Sequence, residues 1–132
     1  MTKVLLDTNI FIYALDKNSA YFERSMAILS NSNFQLFTTS KNIAEYFAVT
    51  TKLRIPPKQI WDFYKEIKRN VEILYPTDES LKKLERLIKK YQPKGNQVYD
   101  MDVIATALSS GIKRFATFNQ NDLQQVNGIA LV

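Results

Sequence analysis

Near its start the chain reads Val4-Leu5-Leu6-Asp7-Thr8-Asn9, an apolar run that ends abruptly on a carboxylate, a hydroxyl and an amide. A short apolar run bounded by polar residues is typical of a buried strand in a parallel sheet. Open α/β sheets bind their ligands at the carboxyl ends of such strands. Asp7 is therefore a candidate functional residue, although its carboxylate could instead cap a helix that begins near Asn9.

The composition is that of a soluble globular protein, with 45% hydrophobic and 23% charged residues in a chain of 132. We expect one domain over residues 1–132, which is long enough to bury a real core. The chain contains no cysteine, which excludes disulfides and fits a reducing, cytoplasmic location. It has no apolar run of about 18 residues and no signal-peptide pattern, so we expect no membrane segment.

The residue types that are missing restrict the chemistry. Because the chain has neither histidine nor cysteine, it cannot build a Ser-His-Asp triad, a Cys-His pair or a His-ligated zinc site. A hydrolase of this composition would rely on carboxylates with a hard cation, Mg²⁺ or Mn²⁺, because both prefer oxygen ligands. The net charge of +5 favours polyanionic partners such as nucleic acid or an acidic protein segment, or simply gives a soluble basic surface.

Strand and helix patterns alternate along the chain. Apolar runs predict strands at residues 3–6, 35–38, 71–75, 114–117 and 129–132. Helical spacing and capping residues predict helices at 9–15, 19–30, 40–53 and 58–69, after Thr77, and from Asp100 to just before Gly111. This alternation predicts an α/β fold in which a small parallel sheet of four to five strands has helices on both faces, a three-layer α/β/α arrangement.

Three of the predicted helices show amphipathic spacing, which predicts the side chains that face the core. The predicted inward positions are Phe22, Met26 and Leu29 in the first, Leu81, Leu84, Ile88 and Tyr91 in the second, and Val103, Ile104, Ala107 and Leu108 in the third. A basic row lies opposite the second of these faces. We interpret it as a solvated helix surface rather than an RNA track.

Several acids are predicted to meet at the carboxyl edge of this sheet. Asp7 follows the first strand, and Asn119 and Asp122 follow the fourth. Glu45 and Asp100 lie near helix starts, which face the same edge of a parallel sheet. Each residue also has a structural explanation as a helix cap or a turn residue. Converging carboxylates repel one another and a divalent cation relieves that repulsion, so the combination predicts a metal site.

Four segments of the chain resemble the signature blocks of PIN domains, in the same order and at the usual spacing. They are Leu5-Leu6-Asp7-Thr8-Asn9, Asn42-Ile43-Ala44-Glu45, Asp100-Met101-Asp102-Val103-Ile104-Ala105-Thr106-Ala107-Leu108 and Thr117-Phe118-Asn119-Gln120-Asn121-Asp122-Leu123. The likeness covers nearly the whole chain, and small members of this kind are most often VapC-type toxins of toxin–antitoxin pairs. The resemblance implies a metal-dependent endoribonuclease that cleaves single-stranded RNA, with a cognate antitoxin as partner and a homodimer as its assembly.

The resemblance also implies roles for individual residues. Asp7, Glu45 and Asp100 match the family's first three acids, which implies that they bind Mg²⁺ (or Mn²⁺) and act in catalysis. After the fourth strand the chain offers both Asn119 and Asp122, and we expect Asp122 to be the fourth catalytic acid. If the fourth acid belongs at Asn119 instead, the chain departs from the family there. The polar side chains expected to support the site are Thr8, Asn9, Thr117 and Asn119.

An acidic site needs basic residues around it to attract RNA. Candidates near the ends of predicted elements are Lys41, Lys52, Arg54, Lys94 and Lys113. The aromatic residues at positions 46, 47, 61, 63 and 64 could stack bases. Packing is the commoner role of aromatic side chains, because they chiefly supply buried area.

Other functions compete with the nuclease. A phosphatase could use Asp7 as a nucleophile, but such enzymes usually need a second Asp two residues on, where this chain has Asn9. A phospho-receiver domain would pair an acidic cluster after its first strand with a Lys after its last, whereas the acids here are spread through the chain. The strongest rival is a catalytically weak or inactive PIN-like module that binds RNA or protein. Loss of activity on adding EDTA would separate the nuclease from this module.

Overall fold

A parallel sheet forms the centre of the molecule. The computed structural model describes residues 1–123 and 126–132, with only the backbone described at residue 122. In chain order its elements are β1 (Thr2–Leu6), α1 (Thr8–Ala14), α2 (Phe22–Leu29), β2 (Phe34–Thr39), α3 (Ser40–Lys52), α4 (Pro57–Asn70), β3 (Glu72–Leu74), α5 (Asp78–Tyr91), α6 (Gln97–Ser109), β4 (Arg114–Ala116), a 3-10 turn (Gln120–Asp122) and β5 (Ala130–Leu131). The strands lie in the order β3-β2-β1-β4-β5, and every neighbouring pair is parallel.

The strand β1 lies in the middle of the sheet and separates two hydrophobic cores. Val4 and Leu6 belong to the core formed with α1, α2, α3 and α4, where Phe11 and Tyr46 are the largest fully buried side chains. Leu5, on the opposite face of the strand, belongs to the core formed with α5 and α6. Because both faces are covered there, the second half of β1, Val4-Leu5-Leu6, is continuously apolar rather than alternating. Helical layers on both sides of one sheet confirm the predicted three-layer α/β/α fold.

The strand order brings the carboxyl ends of β1, β2 and β4 together at one edge. Strands β2 and β4 flank β1, and all three run in parallel. Asp7, at the end of β1, therefore lies between Thr39 at the end of β2 and Thr117 after β4. Thr39 caps α3, because its Oγ1 accepts from the Asn42 N–H at 3.2 Å while its own N–H donates to Asn42 Oδ1 at 3.3 Å. The first turn of α3 is therefore fixed beside the end of β1.

The inward face of α2 differs from the prediction at one residue. Met26 is 41% exposed, whereas Ser25 and Ile28 are buried and Phe22 and Leu29 are partly buried. The small serine allows the helix to pack closely on its neighbours, and this rotation turns Met26 to the flank. The apolar spacing fits either rotation, so the pattern alone predicts the wrong one.

The inward face of α5 is rotated in a similar way. Thr77 caps this helix as predicted, and its Oγ1 accepts from the N–H of the buried Ser80 at 3.1 Å. Because the cap holds Ser80 inward, the next residue, Leu81, turns outward and is 55% exposed. The prediction for Leu81 is therefore wrong, and Leu87 is buried on this face instead.

Helix α6 begins three residues earlier than predicted. Its first residue is Gln97, whose Oε1 accepts from the Lys94 N–H at 3.0 Å. Asp100 consequently lies inside the first turn, and its prediction as the start of the helix is wrong. Gly111 follows the helix with a φ of 76°, as predicted for its C-terminal end. No helix in the described part of the chain combines the length and apolar character needed to span a bilayer.

Candidate active site

A small cavity lies at the carboxyl edge of the sheet, between the ends of β1 and β4 and the starts of α3 and α6. Its volume is about 20 Å³, enough for one water molecule or one small cation. The structure places Asp7, Glu45 and Asp100 on its wall, together with Lys41 and Thr117. The three acids thus lie together although they are far apart in the sequence. Their catalytic and metal-binding roles remain predictions.

Asp7 accepts hydrogen bonds from several donors. Its Oδ1 accepts from the Thr8 N–H at 2.8 Å, and its Oδ2 accepts from the Thr117 hydroxyl at 2.7 Å. The Nδ2 groups of Asn42 and Asn9 lie farther away, at 3.4 Å from Oδ1 and 3.5 Å from Oδ2. Burial raises the pKa of Asp7 above its ordinary value of 3.8, and the bonds from Thr117 and Thr8 partly oppose this rise. The bond from Thr8 also makes Asp7 the N-cap of α1, so one carboxylate has both the structural and the candidate functional role.

Asn42 connects the cap of α3 to Asp7 and is missing from the site residues predicted from the sequence. Its side chain is buried, and its Nδ2 donates to Thr8 Oγ1 at 3.0 Å and to Asp7 Oδ1 at 3.4 Å. Its Oδ1 accepts from the Thr39 hydroxyl at 2.7 Å. The available sequence signal is an Asn at the third position of a capping box, where Glu or Gln is usual. Asn42 is therefore a positioning residue that ties α3 to the acids.

The carboxylate of Glu45 is held between a base and a hydroxyl. Its Oε1 accepts from Lys41 Nζ at 2.9 Å, and its Oε2 accepts from Thr8 Oγ1 at 2.9 Å. The Lys41 ammonium also lies 4.7 Å from the centre of the Tyr99 ring, where a cation is attracted to the aromatic face. These contacts fix Glu45 and Lys41 on the wall of the cavity. The capping box of α3 uses Asn42 rather than Glu45, so Glu45 is not a capping residue.

Asn9 and Thr117 connect the ends of β1 and β4. The Asn9 Nδ2 donates to Thr117 Oγ1 at 3.2 Å, and its Oδ1 accepts from the Phe118 N–H at 3.3 Å. The N–H of Asn119 donates to Thr117 Oγ1 at 3.0 Å, whereas the Asn119 side chain lines a neighbouring cavity. The side chain of Asp122 lies outside the described residues, so its place as the fourth acid stays a prediction.

Of the basic residues predicted to attract RNA, Lys41 is the one that the structure describes on the cavity wall. Lys52, Arg54, Lys94 and Lys113 are exposed and are not among the described residues that line it. Lys52 ends α3 and Lys113 directly precedes β4, so both lie at the end of their element that points away from Asp7.

The donor atoms of the cavity fit a hard divalent cation. Its polar wall carries carboxylate and hydroxyl oxygens, which Mg²⁺ and Mn²⁺ prefer, and its volume admits one small ion. Among the described residues, no group of three acidic side chains is already arranged around one metal position. Lys41 instead supplies a positive charge next to Glu45. Asp7, Glu45 and Asp100 are the residues that could hold a cation in this cavity, and Glu45 already pairs with Lys41.

The sequence matches one known family over most of its length. The sequence pattern of the PIN domain family matches residues 4–129. The chain belongs to the PIN domain family. The matched segment of this PIN domain includes Asp7, Glu45 and Asp100. No curated protein sequence is significantly similar to this chain.

Solved structures with the same fold include toxin–antitoxin proteins. VapBC2 from Rickettsia felis, bound to a DNA fragment from its promoter, is 18% identical with a TM-score of 0.78, over 99% of this chain and 98% of that one. DNA-bound VapBC from Salmonella typhimurium is 20% identical with a TM-score of 0.73, over 100% of this chain and 98% of that one. VapC20 from Mycobacterium tuberculosis, a sarcin-ricin loop cleaving toxin, is 11% identical with a TM-score of 0.72, over 91% of this chain and 92% of that one. At these identities the likeness shows that this PIN domain shares their fold.

Proposed function

We propose that this PIN domain is a metal-dependent endoribonuclease that hydrolyses phosphodiester bonds of single-stranded RNA. The observation that carries the proposal is the cavity on which Asp7, Glu45 and Asp100 meet at the end of the central strand. In a chain without histidine or cysteine, metal-assisted hydrolysis is the chemistry that this set of side chains fits best. Membership of the PIN domain family and the fold shared with VapC20, a sarcin-ricin loop cleaving toxin, support the same reaction.

The roles of the side chains follow from what hydrolysis requires. Water attacks phosphorus and a P–O bond breaks, so one proton must leave the water and one must reach the leaving oxygen. Asp7 and Asp100 would hold Mg²⁺ (or Mn²⁺), which when bound lowers the pKa of water and neutralises phosphate charge. The Glu45 side chain is 45% exposed and can accept the proton of the attacking water. The Thr117 hydroxyl donates to Asp7 and so favours and orients its ionised form.

We also propose that the protein is the toxin of a VapBC-type pair, with an antitoxin protein as its partner. VapBC complexes from Rickettsia felis, Haemophilus influenzae and Salmonella typhimurium share its fold over nearly the whole chain, which supports this role. A homodimer in the cytoplasm is part of the same proposal. Co-expression with a neighbouring gene for a short DNA-binding protein, followed by co-purification, tests the partnership.

Removal of divalent metal is expected to stop cleavage of single-stranded RNA. A catalytic metal contributes several kcal/mol to the transition state, so EDTA should lower the rate by roughly a thousandfold or more. The measurement is cleavage of a fluorescent RNA in metal-defined buffer, with Mg²⁺ or Mn²⁺ added back. Full cleavage in EDTA would contradict a metal-dependent mechanism. RNA binding without cleavage at any metal concentration would instead favour the inactive binding module.

Lys41→Gln is expected to lower the affinity for RNA and to make that affinity less dependent on salt concentration. Lys41 lines the acidic cavity, so its ammonium can meet a phosphate there. The loss of one phosphate contact on a single strand lowers the slope of log K against log salt by about 0.7. Lys58→Gln is the matched control, because Lys58 forms the same i,i+4 ion pair with Asp62 at 2.7 Å on the exposed side of α4. Fluorescence anisotropy across a salt series measures the slopes, and equal slopes for all three proteins would remove Lys41 from the RNA contact.

A further inference from the structure

A second cavity lies directly beside the acidic one. It has a volume of about 570 Å³ and is lined by Tyr21, Thr117, Phe118 and residues 119–121. Thr117 belongs to both cavities, and its hydroxyl donates to Asp7 at 2.7 Å. A group bound in the second cavity therefore lies next to any group bound by the acids. The proposed hydrolysis of the phosphodiester bond does not require the second cavity.

One wall of the second cavity is formed by stacked aromatic rings. The Tyr21 and Phe118 ring centres lie 4.5 Å apart at an interplanar angle of 32°, and Tyr13 packs against both at 5.0 and 5.5 Å. The Tyr21 N–H donates to Ser19 Oγ at 3.0 Å, which fixes the backbone before α2. Tyr21 nevertheless remains 46% exposed. The exposed part of a ring held in this way is a stacking surface for a planar ligand.

The rest of the lining consists of Asn119, Gln120 and Asn121, three exposed residues with amide side chains. A primary amide offers two donors and an acceptor, which matches the mixed donor and acceptor edges of nucleobases. The described lining of this cavity contains no carboxylate, ammonium or guanidinium group. It therefore fits a neutral base better than a phosphate.

We propose that Tyr21, Phe118 and residues 119–121 form a subsite that binds one nucleobase of single-stranded RNA beside the scissile phosphate. The proposal rests on the proposed nuclease function, which assigns the phosphate to the acidic cavity. The base stacks on Tyr21 while the amides contact its edge, so the enzyme discriminates among bases at this nucleotide. Unpaired bases in RNA are commonly recognised by this combination of stacking and edge contacts.

The first test measures RNA binding in the absence of cleavage. Binding of a fluorescent single-stranded RNA in EDTA is compared for the wild type, Tyr21→Ala, Tyr21→Phe and Trp61→Ala. Tyr21→Ala is expected to bind roughly 5- to 150-fold more weakly, the range for one stacked base, and Tyr21→Phe to bind like the wild type. Trp61 is the matched control: although the sequence makes it a candidate for stacking bases, its ring packs on Phe47 and Tyr64, with ring centres 5.2 and 5.7 Å away. It is 53% exposed and is not among the described residues of either cavity. Its replacement is expected to leave binding unchanged.

The second test measures base preference at the cleaved position. Asn119→Ala and Asn121→Ala are expected to change the preferred base at one nucleotide in products from a randomised RNA, and Tyr21→Ala to raise KM more than it lowers kcat. Equal RNA binding by the wild type and Tyr21→Ala, or the same loss in Trp61→Ala, would overturn the subsite and leave the nuclease intact. A wild-type protein that neither binds nor cleaves RNA would overturn the nuclease, and the subsite with it.

Discussion

Asp7→Asn is expected to reduce RNA cleavage by roughly a thousandfold or more, the rate equivalent of the several kcal/mol that a catalytic metal contributes. The amide keeps the size and shape of the side chain but removes the negative charge that would hold the cation. It can still accept from the Thr8 N–H through its carbonyl oxygen, so the cap of α1 is retained. Its amide nitrogen takes the place of Oδ2, which accepts from the Thr117 hydroxyl at 2.7 Å, so this hydrogen bond is lost together with the charge.

The stability of this variant relative to the wild type is expected to depend on pH. Burial raises the pKa of Asp7, so the folded protein holds the ionised carboxylate at a cost in free energy of unfolding. This cost is fully present above the raised pKa and disappears as the pH falls below 3.8, where the group is protonated in both states. The Tm of Asp7→Asn relative to the wild type should therefore be highest at neutral pH and fall as the pH is lowered.

Single-turnover cleavage and thermal unfolding followed by circular dichroism measure the two effects. Asp62→Asn is the matched control, because Asp62 is an exposed aspartate on α4 that pairs with Lys58. It is expected to cleave RNA like the wild type. Wild-type cleavage by Asp7→Asn would remove Asp7 from the catalytic site. A Tm relative to the wild type that is lowest at neutral pH would show that the charge of Asp7 serves the fold instead.

The meeting of the acids could be predicted because it depends on chain order and short-range patterns. The apolar run ends at Leu6 and α1 begins at Thr8, so Asp7 follows β1 as predicted. In a parallel sheet, strand ends and the helix starts that follow them share one edge. That rule brings Glu45, in the helix that follows β2, towards Asp7. Asp100 lies in α6, which follows α5 but precedes the parallel strand β4; because α6 ends just before β4 begins, its start lies towards the opposite, carboxyl edge.

The resemblance implies Thr8, Asn9 and Thr117 as supporting residues, but their hydrogen bonds and the part played by Asn42 could not be predicted, because most of these contacts join residues distant in the sequence. Asn42 and Asp7 are 35 residues apart, and Thr117 and Asp7 are 110 apart. Whether such side chains meet depends on the rotation of a helix and the twist of the sheet. The exposed Met26 and Leu81 show that apolar spacing does not determine helix rotation to within one residue.

The edge of the sheet that carries the acids buries several uncharged polar side chains. These are Thr8, Thr39, Asn42 and Thr117. Each is hydrogen-bonded, and leaving a buried donor or acceptor unpaired costs about 1–3 kcal/mol. A change that leaves one donor or acceptor unpaired should therefore affect both the stability and the orientation of Asp7. Asn42 is the sharpest test, because it contacts the cap of α3, Thr8 and Asp7 at once.

Asn42→Asp is expected to lower the free energy of unfolding at neutral pH by about 3–5 kcal/mol, the range for an uncompensated buried charge. In the wild type, Nδ2 of Asn42 donates to Thr8 Oγ1 and Asp7 Oδ1. The substitution replaces this donor by a carboxylate oxygen that faces the Asp7 carboxylate. Glu45, which accepts from the same Thr8 hydroxyl, adds a third negative group. Cleavage should fall as well, because the repulsion displaces Asp7.

The deficit of Asn42→Asp should shrink as the pH falls. Burial and the two neighbouring carboxylates raise the pKa of the introduced carboxyl group, so its cost is full above that pKa and vanishes below the unfolded value of about 3.9. Urea unfolding at neutral and acidic pH measures this change. Asn33→Asp introduces the same charge at an exposed position and should alter stability by less than about 0.5 kcal/mol. A pH-independent deficit, or one as small as that of the control, would mean that Asn42 does not couple α3 to Asp7.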